Sequence, residues 1–454
     1  MKRFLFCIFF LCSFSIYAQK SEHEERREII KYGLEGEITE LITKLQNEDS
    51  KEYNTELTEL FYKTKSTSIK EHILRLYSAQ KNPELEDYCL EILEDPYDEK
   101  KTLVLSVLAY VTDLKLSSAA PQIRKILENE NSDYRDSAIR ALGKIGTSED
   151  AQFLIAYMDA ELPGDERQRL IIRQNVMTAL GELQAEEIWE RFAEIAQNAD
   201  ENAVIRAAAA TALGNLKKTE ALPVLVNLFN ETDPIIRTAA VTALSSFDDP
   251  EATEIILDAF RDSYYKIRIE AIAAAEKRHL NEAVPFILHR AKTDPVEAVK
   301  MRAFEALGVF NDPDANAWLL EQMNNTRIAD KTRLKAMTVL LDADFSLYYP
   351  DVEKAARETL QDNKKTWLRY EIGKMLSKRD NREIEPLASA YLSHSDTLTR
   401  SIGIDMYERN RYAGLTPQIE RIADDEKQGA LQRRAKRVLE STSDNPSESE
   451  TTEN

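Results

Sequence analysis

The sequence predicts an all-α protein built as a solenoid, in which helix–turn–helix repeats stack along the chain. Gly and Pro are scarce, at 12 and 14 of 454 residues, and no stretch shows the alternation of a half-buried strand. A nine-residue pattern recurs along the chain, and a basic residue recurs with it at nearly constant spacing. Repetition of this kind indicates stacked units that each pack on their neighbours, rather than separate globular domains.

The recurring pattern is clearest at 206–214 (RAAAATALG), 237–245 (RTAAVTALS) and 135–143 (RDSAIRALG). Each begins with a basic residue and carries small or apolar residues three, six and usually seven positions later, which lie on one face of a helix. We call the first position the register residue and the helix that carries it the second helix of its repeat. Twelve register positions follow one another at intervals of 31 to 38 residues, and eleven of them are basic. They are Lys70, Lys101, Arg135, Arg173, Arg206, Arg237, Arg268, Lys300, Arg333, Arg369, Arg400 and Gln432.

A first helix is predicted upstream of each register residue, most clearly at 221–229, 252–260 and 283–291. Asp-rich turns join the two helices. Asp before a helix start accepts hydrogen bonds from free backbone N–H groups, and Pro fits the first turn. The clearest turns are Asp233-Pro234, Asp262-Ser263 and Asp294-Pro295. Gly or Ser is expected to end the second helix, as at Gly143, Gly181, Gly214 and Gly308.

These features resemble HEAT repeats, particularly the short bacterial HEAT-like units that also occur in phycobilin lyases. The Asp-Pro turn, the register Arg and the A-x-x-A-L-G run carry the resemblance, which extends over about residues 66–440. It implies a right-handed, armadillo-like α-solenoid (superhelix) of about 12 stacked HEAT-like helix–turn–helix repeats. Scaffolds, adaptors and a few lyases share this repeat, so the resemblance implies no single function.

The chain is predicted to have four parts: a signal peptide (1–18), an N-terminal helical cap (19–65), the repeat solenoid (66–440) and a disordered acidic tail (441–454). The first part has two basic residues, an apolar run of about 11 residues and a small residue, Ala18, at its end, which is typical of a cleaved secretory signal. The run is too short to span a bilayer. Insertions at 161–165 and 345–350 each lengthen one repeat.

The signal peptide predicts export to a bacterial periplasm, with secretion as the alternative. The formal net charge of -20 disfavours nucleic acid as a partner, because an acidic surface repels phosphates. Cleavage would remove two of the three cysteines and leave Cys89 alone, so no intrachain disulfide is expected. No transmembrane segment is predicted in the mature chain.

The register residues are interpreted as a structural ladder rather than a ligand-binding row. In HEAT-like repeats this residue pairs with turn aspartates of its own or the next repeat. Suitable aspartates lie four residues before a register residue at Asp233 and Asp396, and six before one at Asp200, Asp262 and Asp294. The predicted ladder comprises Arg135, Arg173, Arg206, Arg237, Arg268, Lys300, Arg333, Arg369 and Arg400.

No catalytic, cofactor-binding or metal-binding residue is predicted. The sequence lacks the common zinc-protease, P-loop, Cys-x-x-Cys and nucleophile-elbow motifs. No two of the five His are four residues apart, and His279 with His289 are too few ligands for a metal site. Cys89 lies 12 residues before its register residue, where other repeats have Ile123 and Leu225. It is therefore predicted to be buried and unreactive.

Two features indicate where a partner would bind. The outward positions of the second helices lie one and five residues after the register residue, and in the middle of the chain they are small: Ala207, Thr211, Thr238 and Thr242. Towards the C-terminus they become Tyr370, Lys374, Arg433 and Arg437. Residues 400–439 hold nine Lys or Arg against six Asp or Glu, whereas residues 21–100 hold 21 acids against 11 bases. The predicted partner-binding residues are Arg409, Arg411, Arg433, Arg434, Lys436, Arg437, Tyr370 and Lys374.

Three functions remain open. The first is an exported, non-catalytic scaffold that binds a protein or peptide partner in the cell envelope, with its basic end docking an acidic protein or the anionic envelope surface. The second is a lyase-like or chromophore-handling protein, which an exposed, reactive Cys would favour. The third is a structural envelope protein without a discrete ligand. Small central residues could equally serve tight helix packing, and terminal charge could equally serve solubility.

Overall fold

The computed structural model describes residues 22–129, 133–183 and 186–443. Within these ranges the chain forms 26 α-helices and no strand, which confirms the predicted all-α solenoid class. It divides into two compact units, residues 1–255 and 256–454. The proposed signal peptide, residues 1–18, lies outside the described residues.

The helices of the first unit are α1 (22–32), α2 (Glu35–Asn47), α3 (Asn54–Lys63), α4 (Thr67–Gln80), α5 (Glu86–Glu94), α6 (Lys101–Asp113), α7 (Ala120–Glu128), α8 (Arg135–Ile145), α9 (Ser148–Asp159), α10 (Glu166–Leu183), α11 (Trp189–Gln197), α12 (Ala203–Leu216), α13 (Leu222–Phe229), α14 (Pro234–Leu244) and the start of α15 (Pro250–Ala259). Those of the second unit are α16 (Tyr265–Lys277), α17 (Val284–Thr293), α18 (Glu297–Phe310), α19 (Pro313–Asn324), α20 (Asp330–Ala343), α21 (Phe345–Gln361), α22 (Thr366–Ser377), α23 (Glu385–Leu392), α24 (Thr397–Asn410), α25 (Thr416–Asp424) and α26 (Ala430–Ser443). Single 3-10 turns lie at Ser117–Ala119, Glu186–Ile188, Thr219–Ala221, Asn281–Ala283, Asn363–Lys365, Arg382–Ile384, Ala413–Leu415 and Glu426–Gln428.

The even-numbered helices from α4 to α26 are the second helices, and each contains one of the twelve register positions. Within each unit they pack side by side in sequence order, while the odd-numbered first helices pack against them. The predicted core positions are buried: Leu142, Leu213 and Leu244, each seven after the register residue, have no exposed side-chain surface. Burying a leucine side chain stabilises a fold by roughly 1.5–3 kcal/mol, so the three repeats with leucine here gain a similar contribution.

The predicted Asp-rich turns precede the second helices, and one of the three aspartates caps its helix as expected. The side chain of Asp233 accepts a hydrogen bond from the Ile235 amide at 2.8 Å, and α14 begins at the next residue, Pro234. Asp262 and Asp294 accept bonds from the amides two residues later, at 2.7 and 2.9 Å. Asp233 thus caps the first turn of α14, whereas Asp262 and Asp294 fix the residue that precedes the first turn of α16 and of α18.

The expectation that glycine ends the second helices is wrong. Gly143, Gly181, Gly214 and Gly308 lie inside their helices, each two residues before the last one. A Cβ atom on Gly214 would lie 2.6 Å from the Cα atom of Ala243 in the next second helix. Glycine is therefore required because neighbouring second helices approach too closely for a side chain.

Helix ends are instead formed by non-glycine residues with left-handed backbone. Lys217 after α12 has φ 55°, Asn311 after α18 has φ 49°, and Arg411 after α24 has φ 51°. The left-handed conformation allows the chain to turn away from the helix axis and to enter the next first helix.

The margins of the repeat array differ in detail from the sequence prediction. Residues 161–165 form a loop before α10, but residues 345–350 are the first turns of α21, which contains Pro350. The helix α2 packs on α4 as later second helices pack on one another, although it has no register residue. The last helix continues to Ser443, three residues into the predicted tail, and residues 444–454 lie outside the described part.

Candidate partner-binding surface

The register ladder is best formed at Arg268. Its Nε and Nη2 atoms donate to both carboxylate oxygens of Asp294, at 2.7 and 2.8 Å, and both side chains are buried. Burial alone would raise the pKa of Asp294, but hydrogen bonds from Arg268 and from the Val296 amide outweigh it and lower the pKa below that of a free aspartate. The charged pair therefore links the second helix α16 to the turn before α18.

Other register residues also pair with the turn of the following repeat. Arg173 donates to Glu201 at 2.6 Å, and Lys101 lies 3.2 Å from Asp133. Further links to the following turn are Arg206 to Glu231, Arg369 to Asp396 at 3.9 Å, and Arg400 to the Gln428 amide oxygen at 2.6 Å. Asp294 and Asp396 thus bind the register residue of the preceding repeat, rather than the one that follows them in sequence.

The remaining ladder residues make different contacts. Arg237 donates to the carbonyls of Glu231 and Thr232, and Arg135 donates to the Tyr157 hydroxyl. Arg333 donates to the Met323 carbonyl at 3.0 Å and lies 3.4 Å from Asp330, whereas Lys300 is half-buried on α18. Backbone carbonyls thus take part in holding Arg237 and Arg333.

A second row of ion pairs joins successive second helices. A basic residue two positions after the register residue reaches an acid on the preceding second helix. The pairs are Arg302 with Glu276, Lys335 with Glu305, and Arg434 with Asp405. Sequence reasoning missed this row, although its constant offset from the register is a signal that could have revealed it.

The second helices of the first unit form two open cavities. One, about 530 Å³, lies between α2, α4 and α6, and its lining includes Glu71 and Arg75, one and five residues after Lys70. The other, about 300 Å³, lies between α10, α12 and α14, where Ala207 and Thr211 occupy the same two positions. The two outward positions read from the sequence therefore line the surface of these helices, although their binding of a partner stays a prediction.

The second unit has a charged counterpart between α24 and α26, which we call the basic cavity. It measures about 400 Å³. Its lining residues are Glu408, Ala430, Arg433, Arg434, Arg437 and Val438. Three guanidinium groups thus share one concavity with a single carboxylate, on a protein whose net charge is -20.

Two of the predicted partner-binding arginines already have structural partners. Arg434 donates to Asp405 and lies 3.6 Å from Glu408, so it holds α26 against α24. Burial, with a smaller contribution from the charge of Arg437, lowers the pKa of Arg434. Arg411 donates to the Val438 carbonyl at 2.7 Å and to the Ser441 hydroxyl at 3.0 Å, which satisfies acceptors near the end of α26.

Four other predicted residues are exposed and make no ion pair among the described residues: Arg409, Arg433, Lys436 and Arg437. Arg433 and Arg437 line the basic cavity, while Lys436 lies elsewhere on α26 and Arg409 lies in the last turn of α24. The structure brings together Arg433, Arg434 and Arg437 out of the predicted set.

Tyr370 and Lys374 lie on α22 and are engaged locally. The Tyr370 hydroxyl donates to Asp396 at 2.9 Å, and the Arg369 guanidinium lies over its ring. Lys374 donates to Glu371 on its own helix at 2.9 Å. Both contacts favour a structural role for these side chains.

Cys89 has no exposed surface, which confirms its predicted burial, and burial raises the pKa of its thiol well above the ordinary range. A thiol in this environment is a poor nucleophile. The described ranges contain no group of three or more potential metal ligands. No helix in the same part of the chain has the length and apolar character needed to cross a membrane.

The stacked helical hairpins, the Asp-begun second helices and the basic ladder define a HEAT-repeat protein. Residues 30–438 match the family described as Spirochaete HEAT repeat protein, which is most of the chain. The protein therefore belongs to that family, and the resemblance seen in the sequence is confirmed. No protein of curated function matches the sequence.

Solved structures with the same kind of repeat are only distantly similar. The E. coli protein YibA is 17% identical, with a TM-score of 0.35 over 56% of this chain and 92% of that one. The CpcE–CpcF complex of phycocyanin lyase from Nostoc sp. PCC7120 is 17% identical, with a TM-score of 0.34 over 57% and 94%. Kap121p bound to Nup53p is 12% identical, with a TM-score of 0.41 over 91% and 50%.

Proposed function

We propose that this protein is an exported, non-catalytic HEAT-repeat scaffold of the cell envelope, and that it binds an acidic protein or peptide through the basic cavity. Arg433 and Arg437 carry the proposal. They are exposed, they line one cavity, and their charge is opposite to that of the chain as a whole. An acidic partner would be attracted to this cavity and repelled from most of the remaining surface.

The non-catalytic part of the proposal is supported by the state of the one cysteine in the described residues. A lyase-like reaction through Cys89 would require an accessible thiolate, and Cys89 is buried with a raised pKa. The solenoid also offers open, shallow surfaces, which suit recognition of a protein segment better than enclosure of a small molecule.

The decisive variant is Arg433→Glu with Arg437→Glu, with Arg434 unchanged because it pairs with Asp405. We expect folding to be nearly unaffected and capture of the partner from a cell-envelope extract to fall, mainly through the association rate and most strongly at low salt. Capture is measured by quantitative crosslinking and mass spectrometry at two salt concentrations.

A matched control reverses the same number of charges at equivalent repeat positions in the other unit. Arg75 and Arg140 are exposed and lie five residues after their register residues, as Arg437 does. The Arg75→Glu, Arg140→Glu variant should capture the partner as the wild type does. Equal capture by all three proteins at low salt would contradict the proposal.

Export is tested separately, by sequencing the N-terminus of protein recovered from the envelope fraction. The mature chain should begin at or near Gln19, as the cleavage pattern predicts. A mature chain that retains the apolar run of residues 4–14 would overturn the export part and leave the binding part standing.

A further inference from the structure

The helix α26, which lines the basic cavity, is followed in sequence by a segment of opposite charge. Residues 444–454, DNPSESETTEN, follow α26 directly and contain four carboxylate side chains and no Lys, Arg or His. We call this segment the acidic segment. Its four carboxylates are Asp444, Glu448, Glu450 and Glu453.

The tether is long enough for the acidic segment to return to the cavity. Arg437 lies six residues before the end of α26 at Ser443, which is about 9 Å along the helix axis. The five residues from Ser443 to Glu448 span up to about 17 Å when extended, so Glu448 can reach Arg437 even after the chain reverses direction.

Two guanidinium groups of the basic cavity are available to bind this segment. Of its three guanidinium groups, that of Arg434 is paired with Asp405 and lies near Glu408, while Arg433 and Arg437 form no ion pair among the described residues. Carboxylates near a partly desolvated guanidinium cluster gain hydrogen bonds and relieve repulsion within it. The lowered pKa of Arg434, caused by burial and by Arg437, is consistent with a crowded cationic cluster.

We propose that the acidic segment occupies the basic cavity of its own chain and competes there with the acidic partner. This inference rests on the proposed function, because it concerns the same cavity. The segment acts as an intramolecular competitor that weak acidic ligands fail to displace. Only a partner with more carboxylates, or with additional contacts on the second helices, gains stable access.

The expected size of the competition follows from the tether. A short covalent linker between two interacting groups gives an effective concentration on the order of 1 mM. If the free segment binds the cavity with a Kd on the order of 0.1 mM, tethering weakens an external acidic ligand roughly tenfold. Exposed charge pairs are screened by salt, so the competition should fade as ionic strength rises.

The test uses a fluorescent peptide with the sequence of residues 444–454 and measures its binding by fluorescence anisotropy at low salt. The mature wild-type protein is compared with a full-length variant whose segment is neutral: Asp444→Asn, Glu448→Gln, Glu450→Gln and Glu453→Gln. We expect the neutral-segment variant to bind the peptide about tenfold more tightly. Adding Arg433→Glu and Arg437→Glu to it should abolish binding, and adding Arg75→Glu and Arg140→Glu should not.

Affinities within twofold of each other for wild type and neutral-segment variant would overturn the inference, as would peptide binding that survives Arg433→Glu and Arg437→Glu. The outcome is separable from that of the proposed function. If Arg433→Glu with Arg437→Glu weakens partner capture but the neutral segment changes nothing, the scaffold function stands and the competition fails. If the neutral-segment variant binds the peptide about tenfold more tightly but partner capture is unaffected by Arg433→Glu with Arg437→Glu, occupancy of the cavity by the acidic segment stands and the proposed partner site fails.

Discussion

Removal of the Asp294 carboxylate should destabilise the second unit more than any ordinary helix-cap mutation. Asp294 has no exposed surface, accepts two hydrogen bonds from Arg268 and one from the Val296 amide, and lies 3.4 Å from the guanidinium of Arg290. Removing one partner of a buried ion pair leaves an uncompensated charge and typically costs about 3–5 kcal/mol. Loss of a helix N-cap alone typically costs about 1 kcal/mol. We therefore expect Asp294→Ala to lower the free energy of unfolding by about 3–5 kcal/mol.

The assay is urea denaturation followed by tryptophan fluorescence in a Trp189→Phe background. The remaining tryptophans, Trp318 and Trp367, both belong to the second unit and report on it alone. Asp312→Ala is the matched control, because Asp312 accepts amide hydrogen bonds at the start of α19 and takes part in no ion pair among the described residues. It should cost only about 1 kcal/mol.

A double variant separates the buried charge from the hydrogen bond to the Val296 amide. In Asp294→Ala with Arg268→Met, the buried guanidinium that loses its carboxylate is removed, and only the half-buried Arg290 loses a partner, so most of the loss should be recovered. A loss near 1 kcal/mol for Asp294→Ala would refute the assignment of the pair as a buried ion pair, since about that much is expected for loss of one ordinary hydrogen bond.

The pH dependence of this pair has a defined sign. The pKa of Asp294 is lowered in the folded state, because its hydrogen bonds with Arg268 and Val296 outweigh the effect of burial. The stabilisation is therefore fully present above the unfolded pKa of aspartate, about 4, and is lost as pH falls through the folded value. The stability difference between wild type and Asp294→Asn should stay constant near neutral pH and shrink only in acid.

Three further predictions test the packing of the repeats. Leu244→Ala, at a fully buried position, should cost roughly 2–5 kcal/mol in urea denaturation, and a change below about 0.5 kcal/mol would mean that the register is misplaced. Gly214→Ala should destabilise the protein by about 1–3 kcal/mol, because the new Cβ atom would meet the Ala243 backbone. Gly36→Ala is the control and should be neutral or stabilising, because the space around Gly36 is open. Similar values for both variants would contradict the close approach of α12 and α14. Cys89 should react with a thiol reagent only at the rate of unfolding, and rapid labelling of the native protein would revive the lyase interpretation.

The helices and their starts could be predicted from the sequence because their causes are local. The spacing of three, six and seven residues places Ala209, Ala212 and Leu213 on one buried face, and turn aspartates supply the missing hydrogen-bond acceptors. The role of glycine was misread because its cause is not local. Gly214 is fixed by Ala243, a residue of the next repeat that lies 29 positions later.

The candidate site was only partly predictable for the same reason. Helical geometry correctly placed Ala207, Thr211, Arg433 and Arg437 on the exposed side of the second helices, where they line cavities. It could not show that Arg434 is engaged by Asp405 on the preceding second helix, because that depends on how two helices are offset along their axes. Charge composition identified the basic region, and only the contacts separated its structural arginines from its available ones.

The last register position, Gln432, shows why the available cations lie where they do. A register guanidinium is compensated mainly by the turn of the following repeat, as Asp294 compensates Arg268, and α26 is the last helix of the described residues. A half-buried charged side chain without such a partner would destabilise the fold, whereas the neutral amide of Gln432 carries no such cost. In the preceding repeat, Arg400 donates to the amide oxygen of Gln428 instead of to a carboxylate. The register position of α26 therefore does not require a charged residue. Arg433 and Arg437 lie one and five residues after the register position, outside the ladder, so repeat stacking does not account for their charge, and the proposed partner-binding variant tests its role.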